Sequence, residues 1–479
     1  MERFSIARSP GRFTKAPRRT VRPGEVWVDR QTFRDLEIFE AQEGRPGLFR
    51  LLDRARTRGG ASALFGRFLA PLSEPDRIRA VQGSLRYILA HRAEFASLPG
   101  QYLVSGFEHY FHGNLPAPAS ANRFGLALDA LQLFLESFRQ LQQIARGARH
   151  TARLLRGLRQ VATHPGASEA PGEVGAHLRE IRDILGRPAL ASLPLEREER
   201  WRVFRVLAVD RVFRHGEKES VERLVRILFE IDALVSLADA TDEYAFVFPE
   251  VVDGELEIVA DGVYHPLVGA PVPNPLHVDA HHRLLFLTGP NMAGKTTYLR
   301  ACATAIYLAH LGMGVPARSF RFSPCEAIFT AITLADNVRT GISFFEAEAL
   351  RARAIAQAVA DGRRVVAVMD EPFKGTNVKD ALDASCAFLT RLVAREGSVF
   401  LVSSHLIEAG PTLQATGHVD CRRFEATETD GRLEFDYVLR PGLSSQRLGM
   451  RVLREKGVFA LLDGSGRAPA GPWRNTDTG

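Results

Sequence analysis

The chain has 479 residues, of which 45% are hydrophobic and 25% are charged, and its net charge is +6. This is ordinary globular composition, which excludes a wholly disordered, collagen-like or coiled-coil protein, and the length favours about three domains. No run of uncharged apolar residues reaches the ~18 that a membrane span needs. We therefore expect a cytoplasmic protein that does not cross a bilayer.

Both ends of the chain are expected to be disordered. Residues 1–22 hold seven basic groups and one acidic group, so their net charge of +6 equals that of the whole chain. A basic arm over residues 1–25 can bind phosphate backbones or another anionic surface, or it can be a solvated tail. A transit peptide is a weaker alternative, because the arm has no clear apolar helical face. Residues 463–479 are rich in small and polar residues and form the second expected tail.

Residues 26–242 are predicted to form a helical domain. Apolar residues spaced three and four apart recur through this region, and the longest such run, residues 123–163, predicts about 40 helical residues packed against other helices. The Pro-Gly pairs within residues 164–172 predict a break after that run. From residue 243 to residue 462, short β-rich runs alternate with helices, which indicates an α/β domain.

The four cysteines and the histidines give no pattern for a structural zinc site. None of the cysteines, Cys302, Cys325, Cys386 and Cys421, belongs to a CxxC pair. Adjacent His281 and His282 would face opposite sides of a strand. We expect reduced, buried thiols and no structural zinc.

A phosphate-binding loop is predicted at residues 289–296. The segment GPNMAGKT fits the pattern GxxxxGK[ST], follows the apolar run Leu284–Leu287 and opens a helix. In such a loop, backbone amides and the helix N-terminus cradle phosphates, Lys295 reaches the β- and γ-phosphates, and the Thr296 hydroxyl can ligate Mg²⁺. ATP and Mg²⁺ are the expected cofactors. The predicted nucleotide-binding residues here are Gly289, Pro290, Asn291, Met292, Ala293, Gly294, Lys295, Thr296 and Thr297.

Polar residues at the ends of two further apolar runs complete the predicted catalytic set. Asp370 and Glu371 follow the run Val365–Met369. A carboxylate at a strand tip beside a phosphate loop can hold Mg²⁺, so Asp370 is the predicted metal ligand, and Glu371 is the predicted general base. His405 follows the run Val399–Val402 and could contact the γ-phosphate and the attacking water.

Gly341 and Ser343 open a further helix and could present donors to a phosphate. By chemistry alone, Ser343 fits a plain helix N-cap equally well.

These motifs together resemble the MutS family. Residues 289–300 closely resemble its GPNMxGKSTxxR segment, residues 370–377 its DExxRGTS and residues 336–348 its DDxxxGxSTFxxEM. The resemblance extends to nucleotide-pocket elements at residues 264–266 and 272–276, which add Asn274 to the expected nucleotide-binding residues. The helical half is also similar, at residues 29–38 and 52–72.

The resemblance implies a mixed fold, in which an all-α lever/core domain precedes an α/β P-loop ATPase domain of the ABC type. It implies a homodimer in which Gly341 and Ser343 of one subunit close over the ATP of the other, and it implies DNA as the partner. Only 25 residues precede the lever pattern, so we expect the family's N-terminal mismatch-reading domain to be missing. Phe344 stands where the family usually has Thr.

The expected function is ATP hydrolysis coupled to DNA binding, in mismatch repair or related repair and recombination. One alternative is the ATPase subunit of a transporter, which the lack of an LSGGQ string disfavours. The other is a structural DNA clamp that binds ATP without turnover, which Glu371 and His405 disfavour.

Overall fold

The computed structural model describes residues 22–40, 46–116, 123–333, 343–429, 432–444, 446, 453 and 457–462. The chain divides into two compact units. The first comprises Met1–Asp253, Ala305–Pro316 and Phe320–Glu326, and the second comprises Gly254–Thr304, Ala317–Ser319 and Ala327–Gly479. The predicted disorder at residues 1–21 and 463–479, and the predicted role of Gly341, lie outside the described residues.

Helices dominate the first unit. Short strands lie at its two ends, β1 at Trp27–Val28 and β2 at Glu250–Val251. The α-helices are α1 Arg30–Asp35, α2 Leu48–Leu52, α3 Arg58–Leu69, α4 Pro75–Ala90, α5 Arg92–Phe95, α6 Gln101–His112, α7 Arg123–Glu136, α8 Phe138–Thr163, α9 Gly172–Leu185, α10 Pro188–Ala191, α11 Val203–Arg211 and α12 Lys218–Glu243. Shorter helical turns are 3-10 helices at Ala167–Glu169 and Leu195–Arg200 and a π-helix at Val212–Gly216.

The long periodic run is helical as predicted, but it forms two helices instead of one. Ser137 has φ −156° and ψ 71°, which is not helical, and it separates α7 from α8. The apolar stripe continues through this residue, so periodicity alone gives no sign of the break. The predicted break after residue 163 is confirmed, because α8 ends at Thr163 and Gly166 adopts φ 90°.

A buried carboxylate ties α12 to the start of α3. Asp232, on α12, accepts hydrogen bonds from the Arg56 amide at 3.0 Å and from the Thr57 amide and hydroxyl at 2.9 and 2.7 Å. Burial raises the pKa of Asp232 and outweighs these hydrogen bonds. The interaction therefore fixes the N-terminus of α3 against α12.

The second unit is built on a sheet with the order β7-β8-β9-β5-β10-β13. Neighbouring strands are parallel from β7 to β10, and β13 is antiparallel to β10. The strands of this unit are β3 Ile258–Val263, β4 Asn274–Val278, β5 Leu284–Thr288, β6 Ser319–Phe322, β7 Ala327–Ala331, β8 Val365–Asp370, β9 Val399–Ser403, β10 Val419–Arg423, β11 Ala426–Thr429, β12 Arg432–Phe435 and β13 Arg440–Pro441. Most of β6 belongs to the first unit, where it pairs with β2.

The helices that alternate with these strands are α13 Lys295–Ala309, α14 Phe344–Ala360, α15 Val378–Val393, α16 Ala409–Gln414 and α17 Val458–Leu462. Every residue of β5 and β9 is buried, as expected for strands covered on both faces. Because β5, β8 and β9 run parallel, their carboxyl ends lie at the same edge of the sheet, where ligands bind in open α/β folds. The predicted mixed α/β fold class is confirmed. Within the described residues, no helix is both long and apolar enough to span a membrane.

Candidate active site

The segment between β5 and α13 has the backbone conformation of an anion-binding loop. Gly289, Met292 and Gly294 adopt φ values of 146°, 69° and 94°. A Cβ at Gly289 would lie 2.8 Å from the Phe424 carbonyl oxygen, so only glycine fits there. Left-handed residues alternating with ordinary ones turn successive amides toward one concavity, and the N-terminus of α13 adds a positive dipole. The loop can therefore bind phosphate.

Lys295 is held at the mouth of this loop. Its Nζ donates to the carbonyl oxygens of Gly289 and Pro290, at 2.9 and 3.0 Å, and the side chain is buried. Burial lowers the pKa of Lys295, while the nearby carboxylates of Glu371 and Asp370 act to raise it. The ammonium group is thus fixed beside the carboxylates, where it can compensate the charge of a phosphate.

Asp370 lies at the centre of a hydrogen-bonded chain that joins three elements. The Thr296 hydroxyl, on the first turn of α13, donates to Asp370 Oδ2 at 2.6 Å. The Ser403 hydroxyl, at the end of β9, donates to Asp370 Oδ1. One hydroxyl and one carboxylate are hard oxygen donors at the edge of a phosphate loop, which is the donor set that suits Mg²⁺ shared with a nucleotide. Thr296 and Asp370 therefore fit this ion.

Glu371 and His405 are in direct side-chain contact beside the loop. The two lie at the ends of adjacent strands, and His405 Nε2 is 2.5 Å from Glu371 Oε1. Glu371 has φ 53°, and its amide donates to the Ser403 carbonyl oxygen at 3.0 Å. The hydrogen bond with His405 lowers the pKa of Glu371 and outweighs burial, with smaller contributions from Lys374 and Lys295. The carboxylate is therefore ionised at neutral pH.

One cavity of about 480 Å³ lies beside the phosphate loop, entirely within the second unit. Asp370 and His405 do not line it, but each contacts a residue that does, Thr296 and Glu371 respectively. Lys295, Thr296 and Glu371 line it together with the expected pocket residue Asn274. The other lining residues are Val263, Tyr264, His265, Val268, Ala270, Pro271, Val272, Asn291, Met292, Gly294, Thr297, Tyr298, Ala301, Phe424 and Tyr437. A volume of this size is within the usual range of small-molecule pockets.

The side-chain amide of Asn274 makes hydrogen bonds to three backbone groups beside the cavity. Its Nδ2 donates to the carbonyl oxygens of Val272 and Tyr437, at 3.1 and 2.9 Å, and its Oδ1 accepts from the Leu439 amide at 2.7 Å. Tyr437 in turn covers the phosphate loop, because a Cβ at Gly294 would lie 3.0 Å from its ring. Asn274 thus positions Tyr437.

His265 is a neutral, buried member of the same wall. Burial lowers its pKa to about 4, with a further contribution from the charge of Arg300. His265 Nδ1 accepts a hydrogen bond from the Leu267 amide at 3.3 Å. A neutral imidazole presents a flat, uncharged face to the cavity.

Ser343 is placed elsewhere. It is the exposed N-cap of α14, and its hydroxyl accepts from the Glu346 amide at 3.2 Å. It is not part of the cavity lining given above. Its helix is nevertheless linked to the segment after Glu371, since Glu348 accepts from the amides of Lys374 and Gly375 at 3.1 and 3.0 Å. The action of Ser343 on the ATP of a second subunit stays a prediction.

Two residues of the site were not among the sequence-predicted site residues. Ser403 contacts Asp370 directly, and Tyr437 covers the loop. The sequence does contain a signal for Ser403, because a hydroxyl at the last position of β9 faces the neighbouring strand end. The place of Tyr437 over the loop depends on a hydrogen bond from Asn274 to its carbonyl oxygen, which the sequence does not show.

Comparison with known proteins agrees with this geometry. Residues 285–460 match the family model MutS domain V. Over this region the chain is similar to the MutS family. It is 32% identical over 265 residues to "DNA mismatch repair protein MutS" of Natronomonas pharaonis, an alignment that covers 54% of this chain and 30% of that protein.

The protein of the same name from Oleidesulfovibrio alaskensis is also 32% identical, over 263 residues, with 52% of this chain and 29% of that protein aligned. The aligned part is thus less than a third of the length of either relative.

Proposed function

We propose that the chain is a MutS-type ATPase that couples ATP hydrolysis to DNA binding. One observation carries the proposal: the phosphate loop, Asp370, Glu371 and His405 meet at one sheet edge. The loop and Glu371 line one cavity, and Asp370 and His405 contact residues of its lining. The match to MutS domain V over residues 285–460 supports the same chemistry.

The described side chains have distinct roles in this proposal. Lys295 and the loop amides bind the β- and γ-phosphates of ATP, and Thr296 and Asp370 hold Mg²⁺, which when bound neutralises charge on those phosphates. The ionised Glu371 accepts a hydrogen bond from the attacking water and orients it toward the γ-phosphate. His405 holds Glu371 in place by their 2.5 Å contact and is positioned to stabilise charge on the γ-phosphate.

We further propose that the active unit is a homodimer. Ser343 is exposed at the start of α14, while the cavity that contains Lys295 has other lining residues. An exposed N-cap serine can offer its hydroxyl and the amides of the helix start to a phosphate that another subunit brings. The homodimer then has two composite sites.

DNA is the proposed partner because both similar proteins bear the name DNA mismatch repair protein. The basic arm over residues 1–22 supplies seven positive charges for phosphate contacts. We also propose that the protein acts in mismatch repair or in a related repair or recombination pathway.

The first test is phosphate release from ATP, measured with and without duplex, single-mismatch and branched DNA. We expect Mg²⁺-dependent turnover that DNA changes by several-fold. A chain that binds ATP and releases no phosphate under any of these conditions would instead be the non-hydrolysing clamp. If no DNA changes the turnover rate, the protein is an ATPase whose activity is not coupled to DNA.

The second test addresses what the DNA contacts are. Binding through phosphates weakens with salt at about 0.9 counterions per neutralised phosphate. Deleting residues 1–22 removes seven basic groups, so the salt dependence should fall by several units if the arm contacts DNA. At fixed salt, matched and mismatched duplexes should compete about equally. A preference above ~10-fold for a mismatch, roughly 1.4 kcal/mol, would show mismatch reading.

A further inference from the structure

Two imidazoles and a carboxylate converge at the turn between β4 and β5. His277 lies near the end of β4, Asp279 follows the strand, and His282 lies just before β5. His277 Nε2 is 3.0 Å from Asp279 Oδ2, and His282 Nδ1 is 3.6 Å from Asp279 Oδ1. One ligand atom from each residue lies within 4.8 Å of the others. Both imidazoles are exposed, so an ion could reach them from solvent.

The carboxylate of this cluster is already fixed by the backbone. Asp279 Oδ1 accepts from the amides of His281 and His282, at 2.8 and 2.6 Å. A carboxylate that is already oriented needs little further ordering to bind a cation.

The distances suit a small four-coordinate ion. Metal–ligand bonds of about 2.0–2.2 Å in tetrahedral geometry separate neighbouring ligand atoms by roughly 3.3–3.6 Å. His277 Nε2 and His282 Nδ1 lie 3.0 and 3.6 Å from different oxygens of Asp279. Since one ligand atom from each residue lies within 4.8 Å of the other two, side-chain rotation can bring the three atoms to this separation. Imidazole nitrogens select ions such as Zn²⁺, Ni²⁺ and Cu²⁺, whereas Mg²⁺ and Ca²⁺ prefer ligand sets made only of oxygen.

We propose that His277, Asp279 and His282 bind one divalent transition-metal ion of the Zn²⁺ class, with water completing its coordination. His281 and His282 are adjacent in sequence, but they are not the two imidazoles that meet. In the structure, the partner of His282 is His277, which the turn brings back beside it, and His281 contributes its amide to Asp279. This site is separate from the residues that would hold Mg²⁺ and does not depend on the proposed ATPase activity.

A metal bound here would link the end of β4 to the start of β5. Asn274, at the other end of β4, lines the nucleotide cavity, and β5 leads directly into the phosphate loop. The ion would therefore cross-link the turn that joins these two strands. Because it binds the folded chain and not the unfolded one, it should raise the melting temperature.

The test is a Zn²⁺ titration of the full chain against a chromogenic chelator, without nucleotide or Mg²⁺. We expect one Zn²⁺ ion per chain, with an affinity that falls at least ~10-fold in His277→Ala and in His282→Ala. His281→Ala is the matched control, because it removes an adjacent exposed imidazole and keeps the amide that contacts Asp279. It should bind Zn²⁺ like the original chain.

A second measurement keeps the proposal falsifiable if an alanine variant unfolds. Asp279→Asn keeps the shape and the acceptor for the two amides, and it should abolish the visible absorption of tetrahedral Co²⁺ that the original chain shows. Equal Zn²⁺ binding by the His277→Ala/His282→Ala double variant would overturn the proposal, as would the lack of any stoichiometric site in the original chain.

Discussion

Glu371 has an unusual backbone for its residue type, because a φ of 53° is the left-handed region that favours glycine. The conformation turns the chain at the end of β8, so that Asp370 contacts Thr296 while the next side chain contacts His405. The two adjacent carboxylates therefore have different partners. The strain of about 1 kcal/mol or more is offset by the hydrogen bond from the Glu371 amide to Ser403.

Glu371→Gln should keep ATP binding while phosphate release falls by ~10²-fold or more, because the amide cannot act as a base toward water. The amide has nearly the same shape, so the fold should be retained. Single-turnover hydrolysis and equilibrium ATP binding measure the two effects separately. Glu396→Gln, an exposed change in the turn after α15, is the matched control and should be fully active. Near-normal turnover in Glu371→Gln would remove this residue from the proposed role.

The buried His265 should make stability depend on pH. Its folded pKa of about 4 is below the ordinary value of 6.5, so the unfolded chain binds the proton more tightly. Stability then rises with pH through this window and is lost as pH falls from about 6.5 toward 4. For His265 alone, the loss between pH 8 and pH 5 is about 2 kcal/mol.

His265→Gln should reduce that pH dependence by the same amount, because glutamine does not titrate. Urea unfolding of both proteins at pH 8 and pH 5 gives the comparison, and taking the difference between the proteins cancels the other titrating groups. If the two proteins lose equal stability between these pH values, His265 is not the buried neutral group described here.

Site residues were predictable where the chemistry is local in sequence. The phosphate loop is one continuous segment, and Asp370, Glu371 and His405 each follow an apolar strand, so a shared sheet edge could be inferred. The contacts of Tyr437 and the pairing of His277 with His282 were not predictable. Both depend on turns whose direction is set by side-chain hydrogen bonds, and periodicity carries no information about them.

Among the elements, β4 has a specific link to the segment after β12. The three hydrogen bonds of Asn274 join Val272, Tyr437 and Leu439. Asn274→Ala removes these three part-buried hydrogen bonds, at a cost of about 1–3 kcal/mol. Because Tyr437 then loses its position over the phosphate loop, ATP affinity should fall about 10-fold, as measured by equilibrium binding.

Gln82→Ala is the matched control for that change. Gln82 is a buried amide of the first unit that donates to the Pro249 carbonyl oxygen at 2.8 Å. Its loss should lower stability by a similar amount and leave ATP affinity unchanged. Equal ATP affinity in Asn274→Ala and the original chain would show that the segment holds its place without the amide.

In α7 and α8, apolar periodicity predicted helix formation but not which apolar residues are buried. The stripe from residue 123 to residue 163 predicted helix correctly, and on α8 it packs as expected, since Leu141 and Ile144 are buried. On α7, however, Leu128, Leu131 and Leu135 are 53%, 55% and 74% exposed. A sequence pattern identifies an apolar face but does not say whether another element of the same chain covers it.

At the scale of the whole molecule, the proposed composite sites make a prediction about mixed subunits. Ser343→Ala and Lys295→Ala should each be inactive as homodimers. In a heterodimer, one site combines an intact Lys295 with an intact Ser343, and the other lacks both. Random mixing in equal amounts should restore roughly a quarter of the original ATPase activity.

The control for this experiment separates helix capping from catalysis. Ser343 caps α14, so its loss costs about 1 kcal/mol of stability. Ser343→Asn keeps a capping side chain and should restore that stability without restoring activity. Mixtures that stay as inactive as their parents would mean that the two residues do not act across a subunit boundary.

The order of strands in the central sheet also has a consequence during protein synthesis. Leu284, at the start of β5, pairs with Phe400 on β9 and with Val419 on β10. Both partners are translated more than a hundred residues after β5, a delay on the order of ten seconds at the ribosome. During that time the apolar strand that leads into the phosphate loop has neither neighbour. The nascent chain therefore carries an unpaired, aggregation-prone strand, and it can acquire its nucleotide site only late in translation.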